Sequence, residues 1–156
     1  MISSKKYKTM QNLKLKVCGM RKASNIKDLI ALKPDFIGFI FYEKSLRNVT
    51  EKPNITIPVN IKKVGVFVNK PIPELLKITT LHQLDYVQLH GDETPNYCKK
   101  LQDKNIKIIK AFNIGENFDF DKTTKYVPYC TYFLFDASGK LRGGNGRVFN
   151  WNLLKN

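Results

Sequence analysis

Six apolar, strand-like segments begin about 21 to 28 residues apart along the chain, and a stretch of helix length separates each from the next. They fall at residues 13–18, 35–42, 63–68, 85–90, 106–112 and 132–135. A return of that length suits a helical crossover between parallel strands and is far longer than a hairpin needs. Residues 35–42 (DFIGFIFY) are almost wholly apolar, as a strand covered on both faces should be. The spacing therefore predicts an α/β protein made of repeated βα units.

The connecting segments carry helix signals of unequal strength. Ser24 or Asn25 is a candidate N-cap for a first helix, with Ile26, Leu29, Ile30 and Leu32 as its apolar face until Pro34. Residues 71–84 predict a helix with proline in its first turn, residues 94–103 another, and residues 116–126 a weak one. Residues 50–60 hold Pro53 and Pro58 among β-branched residues, so any helix there is short.

With 156 residues, 42% of them hydrophobic, the chain can bury one sizeable core and is too short for two. We read residues 13–156 as one domain and residues 1–12 as a basic N-terminal extension. No apolar run approaches the roughly 20 residues that span a bilayer, and the N-terminus lacks an apolar signal core, so a cytoplasmic location and no membrane partner are expected. Three cysteines, Cys18, Cys98 and Cys130, without CxxC spacing, indicate neither a disulfide framework nor a zinc site. The net charge of +14 suits a phosphate-bearing partner, either nucleic acid or a small anionic metabolite. The basic residues are not interleaved with aromatics on one face, which favours a solvated lysine-rich surface over nucleic-acid binding.

Polar residues of chemical interest sit at strand ends. Cys18 closes the first strand, Arg47 follows the second, Gln88 and His90 close the fourth, and Asp136 ends the sixth. Beyond Asp136 comes a loop rich in glycine and cations, with Gly143 and Gly144 opening a Gly-Gly-Asn-Gly run that permits close approach to a ligand. Each residue also has an ordinary reading. Asp136 could cap a turn, Cys18 could be a small buried hydrophobe, Arg47 a solvated loop residue, and Gln88 and His90 routine hydrogen-bonding groups. Length alone favours an open six-stranded sheet. Against it, no GxGxxG follows the first strand, and functional groups drawn from several strand ends are what the mouth of a barrel collects.

Five motifs in order then resemble one family. Lys16-Val17-Cys18-Gly19-Met20-Arg21 resembles the K-[IV]-C-G-[IM]-[TR] opening of phosphoribosylanthranilate isomerase, a (β/α)8 TIM-barrel enzyme of tryptophan biosynthesis. Ser45-Leu46-Arg47 is similar to its S-P-R, Val64-Gly65-Val66-Phe67-Val68-Asn69 to its V-G-V-F-V-N, and Val87 to Glu93 to its V-Q-L-H-G-D-E. Asp136 with the segment ending at Trp151 is similar to its D...G-G-T-G-x-x-F-D-W.

The resemblance implies a TIM barrel of which this chain supplies about the first six βα units. It also implies an Amadori rearrangement of N-(5-phosphoribosyl)anthranilate to 1-(2-carboxyphenylamino)-1-deoxyribulose 5-phosphate. Asp136 would be the general acid and Cys18 the general base, its thiolate favoured by cations such as Lys16 and Arg21. Arg47 would pair with the anthranilate carboxylate, Gln88 and His90 would line the sugar, and Gly143 and Gly144 would belong to a loop over the substrate. No metal and no organic cofactor is implied. Asn145, Asn150 and Leu46 stand where the family has Thr, Asp and Pro.

The family holds its substrate phosphate with loops after strands seven and eight, and the sequence contains neither. A fragment of a longer reading frame is the favoured explanation, ahead of a split enzyme completed by a C-terminal polypeptide or a decayed gene product. Exposed edges on the first and sixth strands would invite that partner or a homo-oligomer. The rival function is a non-catalytic basic module derived from the enzyme, binding nucleic acid or a protein.

Overall fold

The strand-like segments become β1 (Lys16–Cys18), β2 (Phe36–Ile40), β3 (Lys62–Phe67), β4 (Tyr86–Leu89), β5 (Ile108–Ile114) and β6 (Tyr132–Ala137) of a computed structural model. The structure describes residues 13–115, 117–137 and 151–154. The extension at 1–12 and the glycine-rich segment with Gly143 and Gly144 lie outside the described residues. All neighbouring strands are parallel, and their spatial order is their chain order, β1-β2-β3-β4-β5-β6. Every crossover therefore joins adjacent strands, the winding of a (β/α) barrel rather than that of a doubly wound sheet, whose order reverses at a switch point.

The sheet is strongly curled. On a flat sheet β2 and β6, four strand spacings apart, would be separated by roughly 19 Å. Instead the Phe36 ring of β2 lies 6.2 Å from the Tyr132 ring of β6, and Tyr86 of β4 lies 5.6 Å from the first and 6.0 Å from the second. Phe36, Val64 and Ile109, with Tyr86 and Leu134 against them, fill the concave side. The larger core lies on the convex side, where Ile37, Phe39, Phe67, Val87, Leu89 and Ile108 meet the helices. Among the described residues β1 and β6 each pair on one side only, as expected for the edges of a part barrel.

The helices are α1 (Ala23–Ala31), α2 (Ile72–Leu81), α3 (Pro95–Gln102) and the single turn α4 (Asp121–Thr124). Thr94 caps α3 by accepting the Tyr97 N–H at 3.2 Å, and Pro95 follows at the first helical position. The expected cap of α1 is corrected. Lys22 occupies the N-cap without a side-chain bond, while Ser24 and Asn25 sit inside the first turn. Leu32 is the C-cap and 74% exposed, so Ile26 and Leu29 carry the buried face of α1. Lys33, Gln83 and Asn105, all at positive φ, end the first three helices in the left-handed turn that stops a helix. The crossover at residues 41–61 contains no helix, as its prolines foreshadow. Cys98 of α3 and Cys130, far apart in sequence, share a hydrogen bond, and all three cysteines are free thiols.

Candidate active site

Cys18 and Lys16, two residues apart on β1, point to the concave face. Gly38 of β2 pairs with Cys18 in register, and a Cβ added to Gly38 would lie 2.6 Å from Cys18 Sγ and 3.1 Å from Cys18 Cα. The missing side chain at Gly38 is therefore the space the thiol occupies. Gly19, at φ +91°, turns the chain out of β1, and Arg47 lies across it so closely that a Cβ on Gly19 would stand 2.7 Å from Arg47 Cδ. The Arg47 Nη1 donates to the Cys18 carbonyl at 3.3 Å. Gly38→Ala should turn the thiol away and lower kcat by about 10- to 100-fold while the chain still folds, since a 1 Å misplacement can cost that much. Steady-state kinetics with circular dichroism checks this, and unchanged turnover would mean that the thiol position is immaterial.

A second pair faces the same concavity. His90, buried just past β4, holds Nε2 3.4 Å from Asp136 Oδ2 on β6. The strands of this pair are not neighbours, so only the curl brings the two together. Gln88, two residues before His90, accepts a hydrogen bond from Lys16 Nζ at 2.8 Å, a tether from β1 across the interior to β4. Cys18, Lys16, Gln88, His90 and Asp136 thus share the concave face, with contacts between Lys16 and Gln88 and between His90 and Asp136. Asn113 pairs with Asp136 in register and is exposed beside it.

Burial is the main influence on His90 and lowers its pKa. Asp136 and Glu93 oppose that, while Lys110 and Lys16 reinforce it. The imidazole is accordingly neutral near pH 7. A histidine with a folded pKa below its unfolded value of about 6.5 leaves stability intact above that value and removes it progressively as the pH falls toward the folded pKa. Urea midpoints should therefore drop between about pH 7 and 5, and drop less in His90→Gln. Equal slopes for the two proteins would contradict the buried, neutral state.

Beneath the β4 end lies a buried ion pair. Lys110 of β5 directs Nζ at the Glu93 carboxylate (3.2 Å) and at the carbonyls of Leu89 (3.3 Å), Gly91 (2.9 Å) and Ala111 (3.0 Å). Glu93 also accepts the N–H groups of Asn69 (2.8 Å) and Gly91 (2.9 Å). The pair joins the ends of β3, β4 and β5 and fixes the loop that follows His90.

The curl thus brings together Cys18 with Arg47, His90 with Asp136, and Gln88 with Lys16. Two details differ from expectation. Lys16 is engaged by Gln88, and Arg21 is exposed, so the guanidinium bonded at Cys18 belongs to Arg47. The roles expected of Gly143 and Gly144 fall outside the described residues. Sequence reasoning missed Asn113 and the Glu93–Lys110 pair. A lysine in the middle of the apolar run IKIIKAF was the available sign of the latter, because a buried cation requires an anion. Among the described residues no group of three or more His, Cys, Asp or Glu could hold a metal ion, and no helix is long and apolar enough to cross a membrane.

Comparison with known proteins places this geometry in context. The family model for N-(5'-phosphoribosyl)anthranilate (PRA) isomerase matches residues 15–156. The N-(5'-phosphoribosyl)anthranilate isomerase of Parabacteroides distasonis is 43% identical over 145 residues, covering 90% of this chain and 66% of that protein. The crystal structure of phosphoribosyl anthranilate isomerase from Thermotoga maritima superposes with a TM-score of 0.73 at 27% identity, over 91% of this chain and 70% of that one. A further structure of phosphoribosyl anthranilate isomerase, in complex with reduced 1-(o-carboxyphenylamino)-1-deoxyribulose 5-phosphate, gives a TM-score of 0.67 at 27% identity, over 81% and 66%. The chain spans about two thirds of the length of the curated relatives it matches. On the family match, the identity and the shared fold, the chain belongs to the N-(5'-phosphoribosyl)anthranilate isomerase family.

Proposed function

We propose that this chain carries the acid and base of an isomerase that converts N-(5-phosphoribosyl)anthranilate to 1-(2-carboxyphenylamino)-1-deoxyribulose 5-phosphate. The observation that carries the reading is the convergence of Cys18, Arg47, His90 and Asp136 on one concave face at the C-terminal ends of β1, β2, β4 and β6. In a barrel that is where reacting groups collect. Asp136 gives its proton to the furanose ring oxygen; the C1'–O bond breaks and the anilino nitrogen supplies the electron pair, forming an iminium. Cys18 as thiolate removes the C2' proton, and the resulting enolamine tautomerises to the ketone. His90, neutral and 3.4 Å from Asp136, holds that carboxyl in place.

Arg47 faces the Cys18 end, where its planar fork suits the anthranilate carboxylate. The substrate's phosphate would be gripped by the parts of the family fold that lie beyond the βα units described for this chain. Membership of a biosynthetic isomerase family favours this reading over a basic binding module, and no feature of the described residues favours nucleic acid.

The test is turnover of N-(5-phosphoribosyl)anthranilate by the full polypeptide, with Arg47→Met alongside. Loss of a charge-assisted pair to the substrate should raise KM by about 10- to 100-fold and change kcat little. An unaltered KM would remove Arg47 from the binding site, and no turnover by the full polypeptide would remove the reading itself.

A further inference from the structure

The helix-free crossover at residues 41–61 leaves a cavity of about 240 Å³ on the convex side of the sheet, behind the face that carries Cys18 and Asp136. Phe39, Ile55 and Ile57 line it as an apolar floor, and Lys52, Lys63 and His82 line it with cationic or hydrogen-bonding groups. Phe39 belongs to the helix-side core and Val64, next to Lys63, to the concave cluster, so Lys63 projects to the helix side by the alternation of a strand. The three polar groups come from three different elements: the crossover, β3 and the end of α2. Among the described residues no carboxylate lines the cavity, and neither lysine side chain is paired with one. Asp85, whose carboxylate accepts the Lys63 N–H, is paired with Lys62.

We propose that this cavity is a binding site for a small organic carboxylate with an aromatic or branched apolar body. The head group lies among Lys52, Lys63 and His82, and the body packs on Phe39, Ile55 and Ile57. Charge asymmetry carries the choice of ligand: a concave site with an apolar floor and only cationic or neutral polar groups on its rim selects an anion with a hydrophobic part. The volume, below that of a drug-sized pocket, limits the guest to about one ring. His82 is held in place by edge contact with Phe41, 4.7 Å between ring centroids. Burial and the Lys52 charge lower its pKa, the state that an incoming carboxylate would relieve.

The chain has two histidines, His82 and His90, so imidazole NMR signals report separately on this cavity and on the concave face. The full polypeptide is titrated with sodium benzoate, and with benzamide as the uncharged counterpart, at constant ionic strength. Expected is a saturable shift of the His82 signals with a dissociation constant on the order of millimolar, and no such shift with benzamide. The His82 titration midpoint should rise by about half a unit or more, as an opposite charge within a few ångströms requires. Lys52→Met should weaken binding about tenfold, through loss of one charged contact. Lys52 is exposed, so this variant does not threaten the fold. A His82 signal that stays put through about 50 mM benzoate, a concentration well past a millimolar constant, overturns the proposal. So does a shift reproduced by benzamide, unaltered in Lys52→Met, or confined to His90.

Discussion

Asp136→Asn lowers kcat by about two to four orders of magnitude, the size of a general-acid effect, while the melting temperature hardly moves. The side chain keeps its shape and its place on the concave face, 27% exposed and beside His90, so little packing is lost. What disappears is a proton acidic enough to open the furanose ring. A second readout ties the loss to geometry. Asp136 is the strongest of the groups that raise the His90 pKa against burial, so the variant should drive the imidazole still lower. Turnover within about twofold of the parent would mean that another acid does the work, because a group that supplies the transition-state proton cannot be dispensable. Turnover lost with an unmoved His90 would locate Asp136 away from that imidazole.

Glu93→Gln is expected to have the largest effect on stability, about 3–5 kcal/mol, because it leaves the Lys110 ammonium buried without a counter-charge. Both side chains are almost wholly sealed from water, at 1% and 3% exposed, so solvent cannot take over the missing role. A domain of this size holds only about 5–15 kcal/mol in total, so the urea midpoint should fall severely. Removing both charges with Glu93→Leu and Lys110→Met should recover part of the loss, since the isolated charge is the costly species. A change below about 1 kcal/mol in the single variant would place water, or a relaxed lysine, where the structure has a sealed pair. The consequence for catalysis is indirect. The pair fixes the turn after His90 through the Gly91 carbonyl and N–H, so a softened turn loosens the His90–Asp136 approach.

The parts of this molecule that read plainly from the sequence are those governed by local pattern. Strand spacing gave the parallel βα series, and the proline content of residues 50–60 anticipated a crossover without a helix. The helix expected over residues 94–103 is α3. The start of α1 was less legible, because Ser24 and Asn25 have the right chemistry two or three positions too late, and the helix begins after Lys22 with no side-chain cap. Cys18, Arg47, His90 and Asp136 were each visible as strand-end residues. Their pairing was not, because it depends on curvature: nothing local to β4 or β6 says that His90 and Asp136 stand 3.4 Å apart. Gly38 escaped notice for a related reason. Its meaning lies in the register with Cys18, a contact across strands whose local sequence is merely apolar. Lys110 was hidden by the same parity. Within an apolar strand it faces the helix side, and its partner Glu93 comes from a turn that any sequence reading would leave in solvent.

The most direct test of the acid–base pair leaves the sequence untouched. The full polypeptide is alkylated with iodoacetamide, modification at Cys18, Cys98 and Cys130 is resolved by peptide mass spectrometry, and residual turnover of N-(5-phosphoribosyl)anthranilate is measured on the same samples. Cys98 is fully buried, while Cys18 stands at the concave mouth beside Gly38 and Arg47. Turnover should fall in proportion to the fraction of Cys18 modified, and saturating substrate should slow that modification, because the base touches the atom it deprotonates. Complete modification of Cys18 with turnover intact would contradict its role as the base and, with it, the active site described above.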